Sequence, residues 1–229
     1  MRLGERLAAI ASLVPEGTRL ADIGTDHAYL PIELLQTNKI VLAVAGEVHW
    51  GPYQAAQETI ARLDLQHRIS LRFGNGLAVL SPGEVDTVVI AGMGGASIIA
   101  ILTAQVLVTQ ALKRLILQPM VAAASVRRWL LQNNWRIVDE MVVEDETKLY
   151  EIIAAEPGAS EDIEPILYEI GPVLWTKKPL LLKNHIQQLI AQTERVLHEM
   201  AASSQAPYTI KYCEYAEKLR QLEAKQRCL

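Results

Sequence analysis

The run Arg19-Leu20-Ala21-Asp22-Ile23-Gly24-Thr25-Asp26-His27-Ala28-Tyr29-Leu30-Pro31 decides how this 229-residue chain folds. Its first half is a short apolar strand that stops at a glycine. Its second half opens a helix over 28–36, because Pro31 is tolerable only in a first turn, where its missing N–H has no partner to lose. Strand and helix then keep alternating. Residues 41–47 form a second apolar strand, followed by a helix over 52–63, and 69–74 a third strand. Residues 85–91 form a fourth, followed by Gly92-Met93-Gly94-Gly95 and a helix to about Val108. Leu115-Ile116-Leu117-Gln118 is a fifth strand, closed by Pro119, and 122–133 another helix. Upstream, Leu3, Leu7, Ile10 and Val14 mark one face of an amphipathic helix.

Beyond 133 the order changes. Residues 135–144 and 149–155 read as two strands joined by the acidic turn Asp145-Glu146-Thr147-Lys148. Alternation followed by a hairpin predicts an α/β fold, a mostly parallel sheet with an antiparallel edge. From Pro179 the strand signal vanishes. Leu182, Ile186, Leu189, Ile190, Thr193, Val196, Leu197 and Met200 keep a helical period, Pro207 breaks it, and Tyr212, Tyr215, Leu219 and Leu222 resume it. Two helices around a polar loop predict a coiled-coil-like helical hairpin. The expected division is therefore 1–172 and 173–229.

Half of the residues are hydrophobic, enough for a well-buried core and against disorder. The stretch 87–112 holds no charged residue, but its glycines and β-branched start suit a buried strand, a glycine loop and a buried helix better than a membrane span. The N-terminus is charged where a signal peptide needs an apolar run. Cys213 and Cys228 are the two cysteines. They are expected to stay reduced, as in a cytoplasmic protein, and no metal-ligand spacing is present. The net charge of −4 is uneven: 173–229 holds nine Lys/Arg against five Asp/Glu. Either this basic tail meets a polyanion, or it is ordinary fluctuation of surface charge. The doublet Arg127-Arg128 reads as a solvated helix face.

In an open parallel sheet, ligands bind beyond the carboxyl ends of the strands. Four successive strand ends here are small or polar: Asp22-Ile23-Gly24-Thr25-Asp26-His27, Gly46-Glu47, Gly74-Asn75-Gly76 and Ala91-Gly92-Met93-Gly94-Gly95. Glu47 stands where an acidic group receives the ribose hydroxyls of an adenosine cofactor. The Asn75 amide can donate and accept at once, matching an adenine edge, or it can simply shape a turn between two glycines. The first loop discriminates between cofactors. It has a single glycine instead of G-x-G-x-x-G, and carboxylates that would oppose a pyrophosphate by roughly 1–4 kcal/mol at about 4 Å. S-adenosyl-L-methionine offers a sulfonium and an ammonium instead, which suit Asp22 and Asp26.

The strings Asp22-Ile-Gly-Thr-Asp-His-Ala-Tyr-Leu-Pro31, Ala45-Gly-Glu-Val48 with Gly51-Pro52, and Ile90-Ala-Gly-Met-Gly-Gly95 resemble the bacterial tRNA (adenine(22)-N1)-methyltransferase family. Leu115-Ile-Leu-Gln-Pro119, Arg128-Trp129-Leu130 and Tyr150-Glu151-Ile152 extend the resemblance along nearly the whole chain. It implies a Rossmann-like class I methyltransferase domain with a C-terminal helical pair, methylating adenosine 22 in the D-arm of tRNA. The implied cofactor positions are Asp22, Gly24, Asp26 and His27, then Glu47 and Val48, then Gly74, Asn75 and Gly76, and finally Ala91, Gly92 and Met93. One departure is visible: the family usually has Asn where this chain has Met120.

Adenine N1 carries a lone pair in the neutral base, so transfer needs in-line placement more than a strong base. Asp26 is the candidate for charge stabilisation and His27 or Tyr29 for contact with the base, the other possibility being loop structure and cofactor contact only. Lys177, Lys178, Lys183, Lys211, Lys218 and Arg220 are candidates for the tRNA backbone. Tyr208, Tyr212 and Tyr215 could stack on RNA or pack within the hairpin. Three other readings stay open: a methyltransferase with another substrate, a non-catalytic cofactor- or RNA-binding module, and a dehydrogenase disfavoured by the loop chemistry. No metal and no membrane are expected, and the chain is expected to be a monomer or weak homo-oligomer.

Overall fold

Four small or polar strand ends can form one site only if the sheet brings them to the same edge, and it does. The computed structural model describes residues 3–159, 162–202 and 209–229. The chain divides into two compact units, Met1–Ser160 and Glu161–Leu229.

The first unit holds α1 (Glu5–Leu13), β1 (Thr18–Ile23), α2 (Tyr29–Gln36), β2 (Ile40–Glu47), α3 (Trp50–Arg62) and β3 (Ile69–Phe73). A 3₁₀ turn (Gly76–Val79), β4 (Thr87–Met93), α4 (Gly95–Ala104), α5 (Val106–Gln110), β5 (Arg114–Pro119), α6 (Ala123–Gln132), β6 (Trp135–Asp145) and β7 (Lys148–Pro157) follow. The seven strands run in the order β3-β2-β1-β4-β5-β7-β6. The first five are mutually parallel, and β7 is antiparallel to both β5 and β6. The predicted mixed sheet with an antiparallel edge is the one observed.

Strand order reverses at β1. The chain steps outward through β2 and β3, then returns to lay β4 on the other side of β1. Loops leaving β1 and β4 diverge there, opening the crevice where such sheets bind ligands. Burial explains the strand composition: Leu20, Ala21, Val88, Val89, Ile90, Leu115, Ile116 and Leu117 are fully buried. Two apolar clusters cover the two faces of the sheet, one including Ile10, Ile32 and Leu35, the other Ile98, Leu102, Val126 and Leu130. The uncharged stretch 87–112 is β4 followed by α4 and α5, with a break at Gln105 where a single helix to Val108 was expected. Among the described residues no helix is long and apolar enough to cross a membrane.

One expectation in this unit is corrected. Arg127 is not on a solvated face: it is fully buried, 2.7 Å from Glu140 and 2.5 Å from Glu151. Burial works to lower its pKa, but the two carboxylates outweigh that and hold the guanidinium charged. Position explains the difference within the doublet. Ala123, Val126, Arg127 and Leu130 are buried at the i, i+3, i+4, i+7 spacing, while Arg128 is exposed.

The second unit contains α7 (Leu167–Ile170) and α8 (Pro172–Lys177), then α9 (Leu182–Ala201) and α10 (Ile210–Arg227), which pack together. Leu182, Ile186, Thr193 and Leu222 are buried as the helical period predicts. Tyr212 and Tyr215 are half-buried. Tyr208 lies outside the described residues. Counted from residue 161, the unit has nine Lys/Arg and nine Asp/Glu. The excess of positive charge counted from 173 is balanced by the acidic segment just before it, and partly by direct contact. Lys218 pairs with Glu169 and Lys225 with Glu164, each at 2.6 Å, while Arg220 pairs with Glu217 at 2.7 Å. Cys213 and Cys228 are free and exposed.

Candidate active site

Beyond the carboxyl ends of β1, β2 and β4 lie two cavities of about 580 and 240 Å³. They share Gly24, Ala91 and Gly92 as walls and so adjoin over the switch point. Every residue singled out from the sequence as a site residue lines one or both. Glu47, Val48, Gly74, Asn75, Gly76 and Met93 face the larger, while Asp22, Asp26, His27 and Tyr29 face the smaller.

The larger cavity is built around Glu47, which is buried at the end of β2. Its Oε1 accepts the backbone N–H groups of Val48 and His49, each at 2.8 Å, and its Oε2 that of Asp26 at 3.4 Å. These bonds fix the carboxylate without exhausting its lone pairs, leaving acceptors for a diol. Asn75 is exposed at the start of the 3₁₀ turn, with its side-chain amide making no hydrogen bond among the described residues. Gly24 lies between the two cavities at φ +77°, where a Cβ would overlap the Met93 methyl. The left-handed backbone is what favours glycine there, since the Met93 methyl ends a flexible side chain that can move aside.

The smaller cavity contains the most perturbed acid. Asp22 is buried, and burial pushes its pKa up to about 6, with Glu47 adding in the same direction. A hydrogen bond from the Thr25 hydroxyl at 2.6 Å and the charge of Arg6 work against that rise. A positive charge brought beside this buried carboxylate would favour its ionised form. At the mouth, Asp26 and Ala28 both adopt positive φ, and this bends the loop so that His27 and Tyr29 stack with centroids 5.0 Å apart. Asp26 Oδ1 stands 3.7 Å from His27 Nε2, and both side chains are solvent-accessible.

Sequence reasoning missed the places of four residues. Arg6, from α1, lines the smaller cavity; Gln118, fully buried at the end of β5, accepts both Arg6 Nη1 at 2.8 Å and Gly92 N–H at 3.0 Å. His49 and Ser97 line the larger cavity. A signal for Arg6 existed: it shares the 3-6-10-13 stripe of α1 with Leu3, Ile10 and Leu13, where a charge needs a reason. Met120 is not among the lining residues. It is half-exposed, with its N–H bonded to Met93 O at 2.8 Å.

A cleft with a diol acceptor, an adenine-edge amide and buried acid but no phosphate-binding glycine run fits S-adenosyl-L-methionine. The family model for tRNA (adenine(22)-N(1))-methyltransferase (TrmK) matches residues 20–224. The chain belongs to that family. It is 41% identical over 158 residues to the tRNA (adenine(22)-N(1))-methyltransferase of Bacillus subtilis, covering 69% of this chain and 66% of that one. The crystal structure of the B. subtilis m1A22 tRNA methyltransferase TrmK superposes with a TM-score of 0.88 at 33% identity, covering 98% of this chain and 99% of that one. TrmK of M. capricolum, solved with the cofactor product S-adenosyl-homocysteine, superposes with 0.86 at 27% identity, covering 99% of each. The enzyme class is thus an S-adenosyl-L-methionine-dependent tRNA (adenine-N1)-methyltransferase. Among the described residues no cluster of His, Cys, Asp or Glu could hold a metal.

Proposed function

We propose that this chain methylates N1 of adenosine 22 in the D-arm of tRNA, with the larger cavity receiving the adenosine of the cofactor and the smaller one the methionine end and the target base. The observation that carries this is the adjacency of the two cavities across Gly24, Ala91 and Gly92.

S-adenosyl-L-methionine, when bound, supplies an electrophilic methyl group on a sulfonium. The residues divide the remaining work. Glu47 holds the ribose hydroxyls, Asn75 the adenine edge, and Asp22 the positive charge near sulfur. Val48, Gly74, Gly76 and Met93 shape the walls. Tyr29 and His27 form a stacked platform on which the target adenine lies. N1 has its own lone pair, so these residues need only orient it, and no proton has to leave before transfer. Asp26 stabilises the positive charge that the ring gains as the N1–methyl bond forms and the sulfur–methyl bond breaks. N1 is on the Watson–Crick edge, so a paired target must first leave its partner.

The second unit, with the coiled-coil-like pair formed by α9 and α10, contacts the tRNA backbone through Lys178, Lys183 and Lys211, exposed residues outside the ion pairs described above. With 1–172 as the methyltransferase domain and 173–229 as the RNA-contacting appendage, the protein acts in the cytoplasm as a monomer or weak homo-oligomer. Deleting 176–229 should leave cofactor binding intact and weaken tRNA binding by an amount that shrinks as salt is raised. Unchanged tRNA affinity would remove the appendage from the reading. Substituting Tyr29→Ala should raise KM for tRNA more than it lowers cofactor affinity, measured by initial rates and by calorimetry.

A further inference from the structure

Three aromatic rings cluster beyond the carboxyl ends of β2 and β3. Trp50, the first residue of α3, is 60% exposed, and Phe73, the last of β3, is 54% exposed. Tyr53, one turn further along α3, is half-buried. Trp50 and Tyr53 stack with centroids 5.5 Å apart and planes 12° apart, while Phe73 lies nearly perpendicular to both, 5.7 and 5.6 Å away. The helix turns Ala56, Thr59 and Ile60 to the core, so it covers the sheet without Trp50. Large apolar rings left together in water mark a contact surface.

The cluster sits on the rim of the larger cavity. Phe73 is in register with Glu47 across β3 and β2, and the chain neighbours Val48, His49, Gly74 and Asn75 line that cavity, whereas none of the three rings does. The rings therefore meet what lies over the crevice and not what fills it. Three rings about half out of water offer roughly 300 Å² in all, against about 800 Å² per partner in a stable protein interface. That area is too small for a second copy of the chain. It suits one or two nucleobases, whose flat faces stack on aromatic side chains when they are not already paired in a duplex. Tyr53 covers one face of the Trp50 indole, and the exposure of Trp50 leaves the other open to such a base. The substrate is a tRNA, which must lie over this crevice for its adenine to reach the methyl group. We propose that Trp50, Tyr53 and Phe73 form a second stacking platform, which takes an unpaired base of the tRNA other than the one methylated and helps to hold the RNA across the crevice. The His27–Tyr29 pair follows β1, two strands away from Phe73. This inference rests on the tRNA reading above and adds a contact to it.

Equilibrium binding of an unmodified tRNA transcript to the full chain, with initial rates over a range of tRNA concentrations, tests it. Trp50→Ala and Phe73→Ala, on separate elements, should each weaken tRNA binding and raise KM for tRNA about tenfold, with kcat within about twofold. Trp50→Phe, which keeps a stacking face, should stay within about threefold of wild type. Calorimetry with S-adenosyl-homocysteine should give one affinity for all four proteins. The slope of tRNA affinity against salt should also stay the same, because stacking releases no counterions. Wild-type tRNA affinity in both alanine variants, with only a lower melting temperature, would make the rings a structural cover and overturn the proposal. So would a parallel loss of S-adenosyl-homocysteine binding, which would give the rings to the cofactor. A wild-type dimer that Trp50→Ala dissociates in sedimentation would give them to a second copy and overturn it too. Wild-type protein that binds no tRNA sinks the tRNA reading and this inference together; variants that bind it as wild type does sink the inference alone.

Discussion

Two buried charge clusters in the first unit are built on opposite principles. Beneath the β6–β7 hairpin, Arg127 meets Glu140 and Glu151 with all three side chains largely or fully out of water. In the crevice, three carboxylates and one guanidinium face cavities, and Asp22 is held near pKa 6 because its burial is not matched by a cation. The first cluster closes on itself and serves the fold. The second leaves charges waiting for a ligand, which is the signature of a site.

The sharpest way to break that contrast is to remove one member from each cluster. Arg127→Met leaves two carboxylates in a buried pocket and should lower stability by about 3–5 kcal/mol, read from urea unfolding. Affinity for S-adenosyl-homocysteine in the folded fraction should change little. Glu47→Gln should do the reverse: about 100-fold weaker binding by calorimetry, with stability nearly unchanged.

Asp22 sharpens the comparison through pH. Its pKa of about 6 in the free protein lies above the ordinary carboxylate value of 3.8, so the folded state favours the proton. Its contribution to stability is therefore most favourable below about pH 4, declines as pH rises through the interval to about 6, and is flat above. A cationic ligand needs the ionised form, so affinity should be constant above about pH 7 and fall about tenfold by pH 5. Asp22→Asn should flatten that profile while stabilising the ligand-free protein at pH 7.5, as thermal unfolding would show. A profile unchanged by the substitution would place the titration elsewhere. The smallest effect belongs to the surface of the second unit. Lys225→Met breaks its pair with the half-exposed Glu164 and should cost less than about 1 kcal/mol.

The sheet was legible because buried parallel strands read as unbroken apolar runs, and each ended in a glycine or a polar residue that the crevice uses. Two inward-facing arginines were harder. Arg6 and Arg127 each occupy an apolar stripe of an amphipathic helix, and periodicity shows only that such a residue faces inward. What it meets depends on strands far away in sequence: Gln118 for one, Glu140 and Glu151 for the other. The helices α7 and α8 span four and six residues, too short for a period to register. The charge of the appendage depended on where the boundary was drawn, because the acids that balance it, Glu164 and Glu169, precede residue 173.

The central claim, methyl transfer to N1 of adenosine 22, is tested most directly with labelled S-adenosyl-L-methionine and unmodified tRNA transcripts carrying either A or G at position 22, followed by nucleoside analysis. The account predicts 1-methyladenosine in the D-arm of the A22 transcript and no label in the G22 transcript. Equal labelling of both, or none in either by protein that binds the cofactor, would contradict it.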